Sequence, residues 1–170
     1  CGSRTRTVFG EGSSRPRLVV VGEAPGAEED RTGRPFVGRA GELLTRMLQA
    51  IGLGREDVFI CNVLKCRPPG NRSPRPDEVA GCRPFLQEQL EVLDPPLLLA
   101  VGSHAVRLLL HTERGITSLR GRFQTSPDGW RVMPTYHPAY LLRNPAAKRE
   151  AWEDLQKVAT ELELAIPPRR

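Results

Sequence analysis

RLVVVGEAPG, residues 17–26, is the stretch on which the fold turns. An unbroken apolar run, Leu18 to Val21, ends directly in a Gly/Pro turn. Continuous rather than alternating apolar character suits a parallel strand covered on both faces. The pattern recurs in EDVFICNVLKC (56–66), in PPLLLAVGSHAVRLLL (95–110), which turns helical after Gly102, and in WRVMPTYHPAYLL (130–142). Between these runs the period changes. Leu43, Leu44, Met47, Leu48 and Ile51 recur at helical spacing, as do Ala151, Trp152, Leu155, Val158, Ala159 and Leu162 after an Asn144–Pro145 start signal. Strands alternating with helices predict a three-layer α/β/α sandwich around a central parallel sheet. In such folds ligands bind beyond the carboxyl ends of the strands. The loops after Val21, Ile60, Val101 and Thr135 therefore carry the functional question.

The totals bound the answer. The chain has 170 residues, 39% of them apolar, which is enough for one domain spanning residues 1–170 with a sizeable core. No apolar run reaches the roughly 20 residues of a membrane span, and the first residues lack the apolar centre of a signal peptide. A cytoplasmic protein without a membrane is the expectation, and a Cys66–Cys82 disulfide is correspondingly disfavoured. The net charge of +5 permits an anionic partner such as nucleic acid without demonstrating one.

The first loop, GEAPGAEEDRTGRPFVG (22–38), sets Glu23, Glu28, Glu29 and Asp30 just past a strand end. Carboxylates there suit activation of water, stabilisation of a cation or a magnesium ion; an acidic helix N-terminus accounts for them as well. Gly22 and Gly26 allow backbone to approach a ligand, and Phe36 is either a stacking platform or a core plug. Asn62 ends the second strand with an amide that offers both a donor and an acceptor, matching a nucleobase edge or neighbouring backbone. His137 is held by the fixed φ of Pro138 and could donate to a developing oxyanion. His104 and His111 fall in a helical pattern and read as structural. Leu141 and Leu142 beside Arg143 read either as an apolar wedge with a phosphate anchor or as core leucines.

Cys66 and Cys82 bracket a Pro-rich connection, KCRPPGNRSPRPDEVAGC (65–82). A closed thiolate site needs four ligands, so on spacing alone these two are half a signature. Cys61 belongs to a strand and is expected to pack as a small hydrophobe.

Taken in order, VGEAPGAEEDRTGRPFVGRAGELL, ICNVLKCRPPGNRSPRPDEVAGC and YHPAYLLRNP resemble the iron–sulfur uracil-DNA glycosylases, family 4 of that superfamily, from about Val8 to Trp152. The resemblance implies a central four-stranded parallel sheet and a monomeric enzyme that flips uracil out of single- or double-stranded DNA and hydrolyses its glycosidic bond. It makes Glu23, Glu29 and His137 catalytic. It gives Gly22, Ala24, Gly26, Asp30, Phe36 and Asn62 to substrate, with Phe36 stacking on the base and Asn62 reading its edge. Leu141 and Arg143 would meet DNA, and Arg72 and Arg75 would be free for phosphate. Cys66 and Cys82 would be two ligands of a [4Fe–4S] cluster. The other two belong to a Cys-x-x-Cys pair expected upstream, with Cys1 as the alternative.

Other functions fit less of the pattern. A sibling glycosylase for hypoxanthine or mismatched bases would share the fold. A relative that traps its abasic product through histidine lacks the Lys65–Cys66 motif. A non-catalytic DNA-binding iron–sulfur module would not need Glu23, Asn62 and His137 together. A phosphate-handling enzyme would need the lysine of a P-loop, which GEAPG does not supply.

Overall fold

Leu18 to Val21 lose all exposure because both faces of their strand are covered. In the computed structural model, which describes residues 2–168, Val19 to Val21 belong to the second of six strands and Leu18 leads into it. The elements run β1 (Glu11–Gly12), β2 (Val19–Gly22), α1 (Ala27–Thr32), α2 (Arg39–Gln49), β3 (Phe59–Asn62), α3 (Pro76–Leu93), β4 (Leu98–Val101), α4 (Ser103–Leu110), α5 (Ile116–Leu119), β5 (Gln124–Thr125), β6 (Arg131–Thr135), α6 (Pro138–Arg143) and α7 (Lys148–Glu161). Successive strand side chains point to opposite faces. Leu18, Val20, Ile60, Leu99 and Met133 accordingly pack with α2, α6 and α7. Val19, Val21, Cys61, Leu98 and Val132 pack with α3, α4 and α5. The result is the expected three-layer sandwich, with Cys61 a buried apolar residue.

The sheet order is β1-β3-β2-β4-β6-β5. Its four central strands are parallel, as the sequence predicts. The two-residue β1 and β5 add antiparallel edges, too short to leave a readable period. From β2 the chain crosses to β3, then returns to the other side of β2 with β4 and moves outward to β6. The order therefore reverses between β2 and β4, the position where such folds open a crevice.

The segment between the cysteines departs from expectation. Only its first half is a connection; at Pro76 it enters an 18-residue helix, α3, on which Cys82 sits. Pro76 at the first turn has no helical N–H to lose, and the Glu78 carboxylate accepts the Arg75 N–H at 2.9 Å. The same carboxylate binds the Arg72 guanidinium at 2.6 and 2.8 Å, so Arg72 is tied up rather than free for phosphate.

One buried polar cluster fixes the far end of β6. Asp154, fully buried on α7, accepts from Thr135 Oγ1 at 2.7 Å and from Arg120 Nη2 at 2.6 Å. Arg120 also lies 5.4 Å from the Tyr136 ring centroid, so it holds the residue that precedes His137.

Candidate active site

The register that aligns Gly22 with Asn62 and Val101 with Thr135 brings four strand ends to one edge. A cavity of about 180 Å³ opens there, lined by Ala24, Gly26, Glu29, Phe36, Ala40, Asn62, His137 and Ala139. Three of the four expected loops supply its wall. A larger cleft of about 1110 Å³, between α2, α7 and the C-terminal prolines, has Arg46 as the single charged residue among those described in its lining. It brings no carboxylate or imidazole, so the smaller cavity is where the chemistry-bearing groups meet.

Asn62 is 2% exposed, and its Oδ1 has no hydrogen-bond partner among the described residues. An orphaned buried acceptor costs about 1–3 kcal/mol, which a ligand donor would recover. Beside it stands Phe36, 6% exposed, with φ of +51°, a left-handed conformation uncommon for a bulky residue. Two glycines make room. A Cβ on Gly22 would collide with Asn62 Oδ1 and the Phe36 ring, and one on Gly41 would collide with the Phe36 carbonyl. Phe36 is thus both a core residue and a cavity wall, so the two readings of it are compatible.

Arg55, in the turn before β3, holds this arrangement from behind. Its Nη1 donates to Phe36 O at 2.9 Å and its Nη2 to Pro35 O at 2.7 Å, while Glu11 accepts from Nη2 at 2.6 Å. Sequence reasoning missed Arg55 because its partners are main-chain carbonyls and a Glu11 carboxylate 44 residues away, which leave no local motif.

The His137 ring lies 5.6 Å from the Phe36 ring. Its Nδ1 accepts the Ala139 N–H at 3.1 Å, so a neutral ring carries its proton on Nε2. Removal from water holds its pKa below the ordinary histidine value, although the Glu23 charge pulls the other way. The group is therefore a neutral hydrogen-bond donor at neutral pH.

The four loop carboxylates do not converge on a cation; each has a different partner. Glu23 Oε2 lies 2.7 Å from His104 Nδ1. Glu28 pairs with Arg31 at 2.8 Å. Glu29 Oε1 accepts from Val37 and Gly38 N–H at 2.9 and 3.0 Å, and Oε2 from Gly26 N–H at 3.1 Å. Committed to three backbone donors, Glu29 laces the GEAPG turn to the Phe36 loop and walls the cavity. Asp30, expected at the substrate, is buried away from the cavity and accepts the Thr5 and Arg6 N–H groups, strapping down the N-terminal segment. The magnesium reading finds no support in this dispersal; among the described residues, three His, Cys, Asp or Glu side chains nowhere gather as a metal site. His104, read as structural, is instead the partner of Glu23.

Leu141 corrects another expectation. It is 1% exposed and packs in the core with α2 and α7, so it is no wedge. Arg143 and Tyr140 are the exposed residues of α6.

Cys66 and Cys82 are free thiols, and the Lys65 N–H reaches Cys82 Sγ at 3.5 Å, so Cys82 lies against the residue that precedes Cys66. Val8 N–H donates to Lys65 O at 2.8 Å, so the chain upstream of Val8 leaves from beside these thiols. Cys1 lies outside the described residues. Two thiols supply by type half of a four-thiolate donor set.

A family model described as the uracil DNA glycosylase superfamily matches residues 9–156. The chain is 49% identical over 158 residues to a type-4 uracil-DNA glycosylase of Thermotoga maritima, covering 91% of this chain and 82% of that protein. It is 42% identical over 179 residues to a type-4 uracil-DNA glycosylase of Sulfurisphaera tokodaii, covering 98% and 78%. To the type-4 enzyme of Saccharolobus solfataricus it is 44% identical over 167 residues, covering 94% and 77%.

Proposed function

Because this chain belongs to the uracil-DNA glycosylase superfamily, we propose how its cavity carries out that chemistry. The protein is a DNA-repair glycosylase that removes uracil from DNA by hydrolysis of the N-glycosidic bond, leaving an abasic site. The observation that carries the residue assignment is the orphaned Oδ1 of Asn62 inside a cavity of base-sized volume. Uracil presents an N3–H to that acceptor and O4 to the amide N–H₂, and Phe36 offers a ring to stack on. A base must leave the duplex to reach the cavity, at a cost of a few kcal/mol that these contacts offset.

Cleavage leaves positive charge on the deoxyribose and negative charge on uracil. His137 Nε2–H donates to the departing base, a role that needs the neutral donor the geometry provides. Glu23 is the carboxylate for the cation and for the attacking water, since Glu29 is occupied by backbone. Water adds at the sugar carbon as uracil departs with the bonding pair as an anion; the water's proton passes to Glu23 and then, through solvent, to the released uracil. Arg75, Tyr140 and Arg143 are exposed and suit the DNA backbone, in single- or double-stranded substrates met by a cytoplasmic monomer.

Cys66 and Cys82 would hold a [4Fe–4S] cluster together with two thiolates from the N-terminal side. Such a group, when bound, would cross-link that segment to the loop that follows Asn62. The uracil reading is favoured over a non-catalytic module because Asn62 and His137 face one cavity, with Glu29 and Phe36 as its walls. The test is incubation with a uracil-containing oligonucleotide followed by alkali. Strand cleavage at uracil, and none at thymine, is expected; uncut uracil strands would overturn the reading.

A further inference from the structure

Glu23 is only partly shielded, its side chain retaining 34% of its exposure, and it sits on a Gly/Pro turn with no backbone donor on its carboxylate among the described residues. A carboxylate in that position has several rotamers open to it, and a water-activating group must occupy one. The group that selects a rotamer comes from across the sheet. His104 is the second residue of α4, directly after β4, and its Nδ1 lies 2.7 Å from Glu23 Oε2. Glu23 follows β2. The pair therefore bridges the two strands between which the strand order reverses.

The first turn of α4 is built to hold this contact. Gly102 adopts φ of +92°, and a Cβ there would stand 3.0 Å from His137 Cβ, so α4 begins packed against the His137 loop. His104 is thus fixed relative to both Glu23 and His137. We propose that His104 is a positioning residue of the glycosylase reaction, donating from Nδ1 to Glu23 Oε2 so that the carboxylate is aimed at the water and the developing deoxyribose cation. This role rests on the reading of Glu23 as the water-activating group. His104 touches no substrate; it acts through Glu23.

The electrostatic setting supports the arrangement. The Glu23 hydrogen bond raises the His104 pKa above the ordinary histidine value; partial burial and Arg107 on the same helix oppose it. From the loop packed on Gly102 comes His137, whose ionisation burial suppresses. A charge-assisted bond from an imidazolium is shorter and stronger than a neutral one. As pH rises through the His104 titration the ring loses its charge and the aim loosens, so the excision rate falls.

The experiment compares wild type with His104→Ala and His104→Asn on a single-stranded uracil oligonucleotide under single-turnover conditions, across pH. The Asn amide places a donor close to where Nδ1 stands but does not titrate. His104→Ala is expected to lose about tenfold in rate at unchanged half-saturation. His104→Asn should recover most of that loss and lack the alkaline limb expected of wild type. A wild-type rate and profile in His104→Ala, or equal loss in both variants, would overturn the positioning role. Failure of wild type itself to release uracil would instead overturn the functional reading on which the role depends. Independently of activity, the His104 ring is followed by NMR: its midpoint should lie above about 6.5 in wild type and return toward it in Glu23→Gln. An unchanged midpoint would show that the pair does not form.

Discussion

Asn62 and His137 show how burial gives ordinary side chains the polarity that the proposed reading of a base requires. Each was legible by type and place: an amide ending an apolar strand, and an imidazole before a proline. What the sequence could not show was the orphaned Oδ1 of Asn62 or the Ala139 N–H that fixes the tautomer of His137. Those depend on packing between loops distant in the chain. The depressed pKa of His137 has a definite sign. The unfolded chain binds a proton more readily, so this group's contribution to stability is complete above about 6.5 and is lost as pH falls below it. Nitrogen NMR should find His137 neutral with its proton on Nε2 at pH values where a free histidine is already half charged. An imidazolium there would contradict the donor role assigned to it.

At the scale of elements, the work lies in how α2 and the loops are shaped around Phe36. Glycine in a helix usually gives way to alanine with a gain of about 0.5–1 kcal/mol. Gly41 of α2 should reverse that sign, since a Cβ there meets the Phe36 carbonyl. Gly41→Ala is expected to lower the thermal midpoint and to slow uracil excision; a stabilised, fully active variant would refute the close approach. The four parallel strands and the two long amphipathic helices were readable because each carries several residues of period. The loop carboxylates were not sortable, because their sequence is a plain acidic run; only Glu28 finds its partner, Arg31, on its own helix, while Glu23 meets His104 of α4 and Glu29 and Asp30 accept from backbone. Leu141 was ambiguous for a similar reason: a leucine in a six-residue helix has too little period to show which way it faces. The α3 helix was hidden by prolines that happen to sit at its start and in its ninth position.

For the whole molecule, the active edge is held by a polar cluster on the far side of β6 as much as by the apolar core. Removing Asp154 strands the Thr135 hydroxyl and leaves the Arg120 guanidinium, with only 13% of its side chain exposed, to Glu150. Asp154→Ala should cost about 3–5 kcal/mol in chemical denaturation, the loss typical when one partner of a buried pair is deleted. Asp154→Asn keeps an acceptor and should cost less, because burial already raises the Asp154 pKa and penalises its charge. Equal losses would mean that charge, not satisfaction of Thr135 and Arg120, is what matters there. The central claim is that the cavity at the carboxyl edge reads uracil through Asn62. Its most direct test is the single-turnover rate of uracil release by Asn62→Ala, with folding checked by circular dichroism. A fall of about 100-fold or more in a folded protein is predicted; a rate equal to that of wild type would contradict the account.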